Sequence, residues 1–595
     1  MMTGTQWRRD ADVVVIGSGA AGISVALTAA ASGLRVLVVT KDLVGGATPL
    51  AQGGLAAALG AGDTPAAHVS DTLIAGAGLC EPDIVAALAD GAPGAIGWLA
   101  GLGARLETRD LRLEGGHSAR RIVHSGDDAT GAEVHRTLLA ALLASGIEIL
   151  DRTVALDLLP GAAVGAGTGA GTGTGTGTGA RAARGTAAAN AVPAGPQAGE
   201  PVTARSVAGL TAAFIGAGGR LTPGLISARA VVIAAGGLGQ AFGTTSNPAG
   251  ATGDGIAIAA RAGAVIRDLE FVQFHPTVLW LPGASGQCPL VTEALRGAGA
   301  VLRDAGGTPL MAGHDPRGDL APRDVIAARM AEVIAAGNAG HVWLDATELG
   351  SDLMENGFPT VTAACRKHGI DPVTEMIPVA PGAHYSCGGI LADLDGRTSL
   401  AGLYAAGEAA STGVQGANRL ASNSVTEAII AGRRTGAAVA GALSRAGWSR
   451  GVPGVPGQER FGPVALRTSE GPAVNRGAVA DRHLLAQAMS RYAGVMRDGD
   501  GLARLLEVIA ETGAPCSLGP ATALEGADEP WSLDLESVEA ANLRAVSMLI
   551  AVGARRRAES RGCHRRRDAA GPAAAPWHTL ARWDGHRLVV TKEEL

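Results

Sequence analysis

Cysteine is scarce in this 595-residue chain, and what there is lies scattered: Cys80, Cys288, Cys365, Cys387, Cys516 and Cys563. No two stand at C-x-x-C spacing, which argues against an iron–sulfur cluster, a zinc ribbon or a dithiol redox centre built on local pairs. Sparse, unpaired cysteine fits a reducing compartment. Positive charge is not in excess either. The net charge is −6 and the pI about 6.1, so neither nucleic acid nor an anionic membrane surface is indicated as a partner. The first ten residues lead into an apolar strand with no long apolar stretch or cleavage site of a signal peptide. No uninterrupted apolar run approaches the ~18 residues of a spanning helix. These absences predict a cytoplasmic protein with no membrane and no nucleic-acid partner, and no metal site.

What is present is a globular composition, 47% hydrophobic and 17% charged, on a chain long enough for several domains. One stretch differs. Residues 161–200, which include GAGTGAGTGTGTGTGA, have no apolar periodicity and cannot bury enough surface to offset chain entropy. They read as a flexible surface insertion inside the first domain, with an interaction tether as the alternative.

The apolar run Asp12–Ile16 predicts a buried parallel strand, Ala20–Ala31 a helix, and Arg35–Thr40 a second strand. This βαβ unit opens a doubly wound domain. Between its first strand and its helix stands Gly17-Ser18-Gly19-Ala20-Ala21-Gly22. The first glycine permits the turn, the second lets backbone approach a pyrophosphate, and the third lets helix and strand pack; the helix N-terminus supplies amide donors. Dinucleotide binding follows. The second strand ends in Thr40-Lys41 with Asp42 one step on, not in the acid that would hold a nicotinamide dinucleotide's ribose. A second glycine-rich strand end, Ala406-Gly407-Glu408, returns far downstream, and Ala417–Ser424 opens another helix. An extended cofactor gripped at both ends suits a flavin dinucleotide. Ala230–Gly237 reads as a further buried strand, about 250–365 as a mixed insert, 425–445 as a long helix, and about 480–565 as helical, with Leu484, Leu485, Ala488, Met489, Tyr492, Val495 and Met496 at helical spacing.

Six motifs occur in a telling order: Ala51-Gln52-Gly53-Gly54, Gln273-Phe274-His275-Pro276-Thr277, Thr292–Gly297, Leu320–Asp324, His384–Gly389 and Gly416–Arg419. Glu559-Ser560-Arg561-Gly562 with His564 follows. From about 10 to 570, outside the insertion, the chain resembles the succinate dehydrogenase/fumarate reductase flavoprotein family. That resemblance implies an α/β fold: a Rossmann-like FAD-binding domain in two parts (1–245 and 366–440), an inserted α+β capping domain (246–365), and a C-terminal helical domain with a tail (441–595). It implies FAD held by Gly17–Gly22, Lys41, Ala47, Gln52, Gly53, Gly54, Asp254, Glu408, Asn423 and Ser424. It implies a C4-dicarboxylate site in which His275, Thr292 and Glu293 serve one carboxylate and His384 and Arg419 the other, with Arg323 as proton relay beside His275 and His384. Arg296 reads equally well as a surface or inter-domain ion-pair residue and is left outside the site.

Within the family, Glu114-Gly115-Gly116-His117-Ser118 and Asp71–Gly78 resemble the members that oxidise L-aspartate to iminoaspartate, pass electrons to oxygen or fumarate, and feed quinolinate synthase in NAD biosynthesis. Leu113 departs from the arginine often found there. An ammonium group beside two carboxylates requires a carboxylate facing it, and Glu114, on a glycine-flanked segment, is the candidate. The alternative reading is a soluble fumarate reductase or succinate dehydrogenase flavoprotein. The respiratory members carry a flavin-linked histidine five positions before the Gln of A-Q-G-G; here that position is Ala47. The flavin is therefore expected to be non-covalent. Acid precipitation should leave the yellow colour in the supernatant and the pellet white; colour retained by the polypeptide would contradict this.

Overall fold

The structure is a computed structural model that describes residues 7–126, 128–161, 206–337, 339–445, 477–512, 534–569, 571–583 and 587–595. Nearly all of the 161–200 insertion lies outside these. The first sheet has at its centre the strand Trp7–Ile16, parallel to Val36–Val39 on one side and to Leu221–Ile233 on the other. Glu148–Leu150 extends the parallel set beyond Val36–Val39. Side chains of Trp7–Ile16 alternate between two cores. Val13 and Val15 pack with the helix Ala20–Ala31, while Val14 and Ile16 enter a cluster with Ile256, Ile258 and the C-terminal helices. A strand covered on both faces needs apolar residues at every position, hence the continuous run.

Leu221–Ile233 is longer than the sequence reading, which began it at Ala230. Its first half pairs antiparallel with Val207–Ile215, and its second half pairs parallel with Leu403–Ala405. Only the second half is the uninterrupted buried run that periodicity detects. Leu403–Ala405 thus brings the chain back to the sheet after the insert.

The second sheet contains Val272–Leu279, Ile377–Ser386, Val342–Asp345 and Val301–Arg303, with short strands at Thr244–Thr245 and Gly286–Gln287. The helices Arg323–Ala336 and Pro359–Lys367 pack with it around Ile326, Met330, Val361 and Cys365. The boundary expected at 365 falls inside Pro359–Lys367, and the sheet's strand Ile377–Ser386 lies beyond it. Three helices, Gly477–Tyr492, Gly499–Glu511 and Leu535–Arg556, form the C-terminal helical layer. The last segment was legible only as a mixed tail. It forms the antiparallel strands Trp577–Trp583 and Leu588–Glu594, which join Ile266–Arg267 and Gly389–Leu391 in a third sheet. Among the described residues, two helices, Pro82–Gly101 and Leu535–Arg556, have the length and mean hydropathy of a membrane span. The first packs on Pro65–Ala75 and Asn423–Arg445, the second on its two helical neighbours.

The C-terminal strands are tied to the second sheet by buried charge. Arg557, fully buried, donates to Asp268 at 3.1 Å, Glu270 at 2.7 Å and Glu559 at 2.7 Å, and its guanidinium lies 4.0 Å from the Trp577 ring centroid. Asp268 and Glu270 immediately precede the strand that carries His275. Removing one member of such a buried set costs about 3–5 kcal/mol, because the other charge stays buried and unpaired. His578 Nδ1 sits 2.5 Å from Asp268 Oδ2, and Glu81 lies 3.6 Å from its other ring nitrogen. Burial disfavours the imidazolium, but Asp268 and Glu81 outweigh it and hold the His578 pKa up at about 9. A folded-state pKa above the unfolded value of about 6.5 gives a stabilisation fully present below that value and lost as pH rises through about 9. The Tm should therefore fall between pH 7 and pH 10 in the wild type. His578→Gln should start lower and fall less, and parallel Tm curves for the two proteins would refute the assignment.

Candidate functional site

The carboxyl ends of the parallel strands converge on one cleft. Ile16 runs into Gly17–Gly19, Val39 into Thr40–Asp42, Ile233 into Ala234–Gly237, and Ala405 into Ala406–Glu408, and all four turns line it. This is where an open α/β sheet binds its ligand. The cleft is open to solvent, and its empty space, open solvent included, is about 1850 Å³. Gly17 has φ +109°, and a Cβ there would stand 2.2 Å from the Ala234 carbonyl oxygen, so only glycine closes the turn. Gly22 lies behind the turn, its missing Cβ 2.0 Å from the Gly17 oxygen, which is the close helix–strand packing expected of the third glycine.

Ser18, Gly19, Ala20, Ala21, Ala47, Gln52, Gly53, Gly54, Asp254, Glu408 and Ser424 also line the cleft. Gln52 Oε1 is buried without a partner, an acceptor waiting for a ligand donor. Glu408 is half-buried, and desolvation lifts its carboxyl to about 7; it accepts from the Ser386 amide at 3.0 Å. A glycine turn at a helix N-terminus, an orphaned amide oxygen and a half-buried carboxyl suit the pyrophosphate, ring edge and hydroxyls of FAD. Two predicted contacts differ. Lys41 reaches the cleft, but its ammonium is engaged by Asp254 at 2.8 Å and Glu539 at 2.6 Å. Asn423 is fully buried outside the lining, bonded to His68 at 2.8 Å and Thr72 at 3.1 Å, because the helix it begins packs on that segment. It holds structure at the helix start and does not line the cleft.

One end of the cleft gathers the predicted polar residues. Glu114, His275, Thr292, Glu293, Arg323, His384 and Arg419 all line it. They come from six separate segments of the chain. His275 stands on Val272–Leu279, where the register shifts between His275 and Val278. Pro276 has no N–H for the ladder, and a bulge is the result. His384 stands on the partner strand, and the two rings lie 5.1 Å apart. Groups expected at opposite carboxylates are therefore neighbours. Arg323, directly after Pro322, is the first residue of the helix Arg323–Ala336. Arg419 precedes the helix Asn423–Arg445.

Both histidines have pKa values well below the usual range, through burial first and then the Arg323 charge. They are neutral, and their tautomers follow from their partners. His275 Nδ1 accepts from the Thr277 amide at 3.2 Å, which leaves the proton on Nε2, buried and without a partner. His384 Nε2 accepts from Arg419 at 2.9 Å, and Nδ1 lies 2.7 Å from Ser246 Oγ, to which it donates.

Glu293 is the hub. Its Oε2 accepts from Arg323 Nε at 2.7 Å; its Oε1 accepts from the Gly115 amide at 3.1 Å and faces Arg296 at 3.4 Å. Burial opposes its ionisation, but Arg323 and Arg296 together outweigh that and hold its carboxyl below the usual range. Arg296 is itself 3% exposed, with Nε and one terminal nitrogen lacking hydrogen-bond partners. Its place beside Glu293 was missed because T-E-A-L-R reads equally well as a surface helix start. Glu114, 3% exposed, is no loop glutamate at the surface. Burial first, then the neighbouring Glu293, raises its carboxyl above the usual range. Ser422 donates to Glu114 Oε2 at 2.6 Å from a left-handed backbone, φ 58°, and accepts from the Gly54 amide at 3.1 Å. A non-glycine residue held in that strained region marks a site its surroundings over-determine. The glycine beside Glu114 serves a different approach from the one foreseen: a Cβ on Gly115 would stand 2.1 Å from Glu293 Oε1.

Comparison with known proteins places the chain in a family. Residues 12–425 match the family described as FAD binding domain, and residues 482–594 the one described as Fumarate reductase flavoprotein C-term. The chain belongs to this family of FAD-dependent flavoproteins. Among curated relatives, it is 41% identical to the L-aspartate oxidase of Streptomyces coelicolor over 98% of this chain and 93% of that one. It is 42% identical to the L-aspartate oxidase of Mycobacterium tuberculosis over 95% and 94%. Among solved structures, a chain of the E. coli quinol fumarate reductase superimposes with TM-score 0.80 at 26% identity, covering 99% of this chain and 97% of that one. Gly17→Ala forces the turn away from Ala234, and the purified variant should carry less than about a tenth of the wild-type flavin, a loss of over ~1.4 kcal/mol in binding. Stoichiometric flavin by absorbance would show that this turn is not the pyrophosphate site.

Proposed function

We propose that the chain carries the activity of the L-aspartate oxidases it resembles: oxidation of L-aspartate to iminoaspartate with non-covalent FAD, electrons passing on to oxygen or fumarate. The observation that carries this reading is a buried carboxylate, Glu114, in the same cleft as Arg323, Arg419 and two neutral histidines. Two cationic groups suit a dicarboxylate. A third, anionic group is matched only by a substrate that also bears a positive charge.

Bound FAD supplies the hydride acceptor. The protein's part is binding, orientation and proton movement. Arg419 and the orphaned Nε2–H of His275 offer donors for the substrate carboxylates, with Thr292 beside them; a charge-assisted contact of this kind is worth roughly 1.5–3 kcal/mol. Glu114 pairs with the ammonium, and its raised pKa makes it the better acceptor for the proton the amine gives up before hydride departs. Arg323 and Glu293 form a charged hydrogen-bonded pair at the cleft, with Arg296 ion-paired 3.4 Å from Glu293, and this pair handles the proton in the reverse, fumarate-reducing direction. The unstable imine calls for prompt use by a condensing enzyme, quinolinate synthase, as functional partner in a cytoplasmic route to NAD. The likeness to quinol fumarate reductase favours a second reading, a soluble fumarate reductase, in which Glu114 has no ligand to pair with.

Glu114→Gln separates the two. Loss of a charge-assisted contact should raise KM for aspartate by about 10- to 150-fold, while kcat/KM for fumarate reduction changes by less than about threefold. Equal losses for both substrates would remove the pairing and favour the fumarate reductase reading.

A further inference from the structure

Arg419 is a buried cation without a carboxylate. It is 4% exposed, and its side-chain hydrogen bonds go to neutral groups: Gln273 Oε1 at 3.3 Å, Ser424 Oγ at 3.1 Å and His384 Nε2 at 2.9 Å. Arg323, by contrast, has Glu293 at 2.7 Å. Desolvation alone makes such an isolated guanidinium costly, and its pKa is pulled down to about 10 by burial and then by Arg323. Something other than an ion pair must keep it charged and in place. Its guanidinium carbon lies 5.0 Å from the centroid of the Tyr385 ring. Tyr385 is 7% exposed and makes a hydrogen bond to the carboxyl of Glu427, on the helix Asn423–Arg445. Glu427 is 2% exposed and is fixed by Thr412 Oγ1 at 2.5 Å and Gln415 Nε2 at 2.6 Å.

We propose that Tyr385, backed by Glu427, is the positioning residue that keeps Arg419 charged and aimed into the cleft as a carboxylate clamp. The ring's negative face attracts the cation, and a phenol hydrogen-bonded to a carboxyl is more electron-rich than a free one. A carboxylate in place of the ring would pair with Arg419 and compete with the substrate. A ring supports the charge and leaves the hydrogen-bonding edge of the guanidinium for the ligand. Glu427 acts through the ring from the far side, held away from Arg419 by Thr412 and Gln415. The inference rests on the reading of Arg419 as a substrate-carboxylate donor. The titratable and charged groups that face Arg419 are Arg323, Glu114, Glu293, His275, His384, Cys387, Glu408 and Glu427 besides Tyr385.

The test uses the flavin-loaded full chain and succinate, a dicarboxylate with no amine and no group titrating above neutrality. Its Kd is followed from the flavin spectrum between pH 7 and pH 10.5. Tyr385→Phe keeps the ring and should weaken binding about threefold; Tyr385→Leu removes it and should weaken binding about 30-fold, the span of cation–π contacts from weak to desolvated. Removal of the ring disfavours the cation, so the alkaline limb of binding should move from near pH 10 to about pH 9 in Tyr385→Leu. A merely structural role would weaken binding without moving that limb, and an unmoved limb overturns the proposal. Should Tyr385→Leu fail to retain flavin, the decision falls to Tyr385→Phe and Glu427→Leu. Their effects should not add, because both remove the same hydrogen bond; additive losses overturn it. Arg419→Met is the control. Unchanged succinate affinity there would defeat the reading of Arg419 itself, whereas weakened binding there with wild-type behaviour in the Tyr385 variants would defeat this inference alone.

Discussion

The arrangement around the site depends on one buried carboxylate. Glu293 lies between Arg323 and Arg296 and receives the Gly115 amide. A lone carboxylate at this depth would take up a proton, and two guanidiniums at this depth would repel one another. Together the three groups satisfy each other, and they bind the start of one helix, the start of another and the Glu114 loop into one unit. The geometry of the polar end of the cleft follows from that mutual requirement.

The rest of the fold supplies two kinds of rigidity to that unit. The doubly wound sheet aims four strand ends at a single cleft, so that backbone turns surround the cofactor and side chains are left for the substrate. The buried set around Arg557 pins the loop Asp268–Phe271, and with it the base of the strand that carries His275. Strain is concentrated where precision is needed. Ser422 adopts a left-handed backbone so that its hydroxyl can hold Glu114, and the Gly54 amide in turn holds Ser422. A cost of about 1–3 kcal/mol for such a conformation is sustained by the packing of the helix that follows.

Much of the cofactor half was readable before any coordinates. A strand, a glycine turn and a helix in immediate succession constrain one another locally, so Gly17–Gly22 and Ala406–Glu408 disclosed both their structure and their purpose. The first half of Leu221–Ile233 escaped notice because its alternating burial carries no continuous apolar signal. The C-terminal strands escaped because Trp577–Trp583 finds its place by pairing with Ile266–Arg267, more than three hundred positions earlier, and Leu588–Glu594 by pairing with Trp577–Trp583. Asn423 was placed at the cofactor because it neighbours Ser424 in a motif. One position along a helix start turns a side chain by about 100°, and that turn directs it to His68 instead.

By itself the sequence determined the types of group available: which turn must be glycine, which strands are buried on both faces, that the linkage position is Ala47, and which histidines, arginines and acids recur in family order. These are properties of residues and of near neighbours, and the chain carries them wherever it goes. Only the tertiary structure decided which charges share a desolvated space. Arg296 became part of the site because folding placed Glu293 beside it at 3.4 Å. Lys41 turned to Asp254 and Glu539, and Arg419 was left facing an aromatic ring. The physical reason is that electrostatic interactions grow as water is excluded, and exclusion of water is created by segments hundreds of residues apart closing over one another.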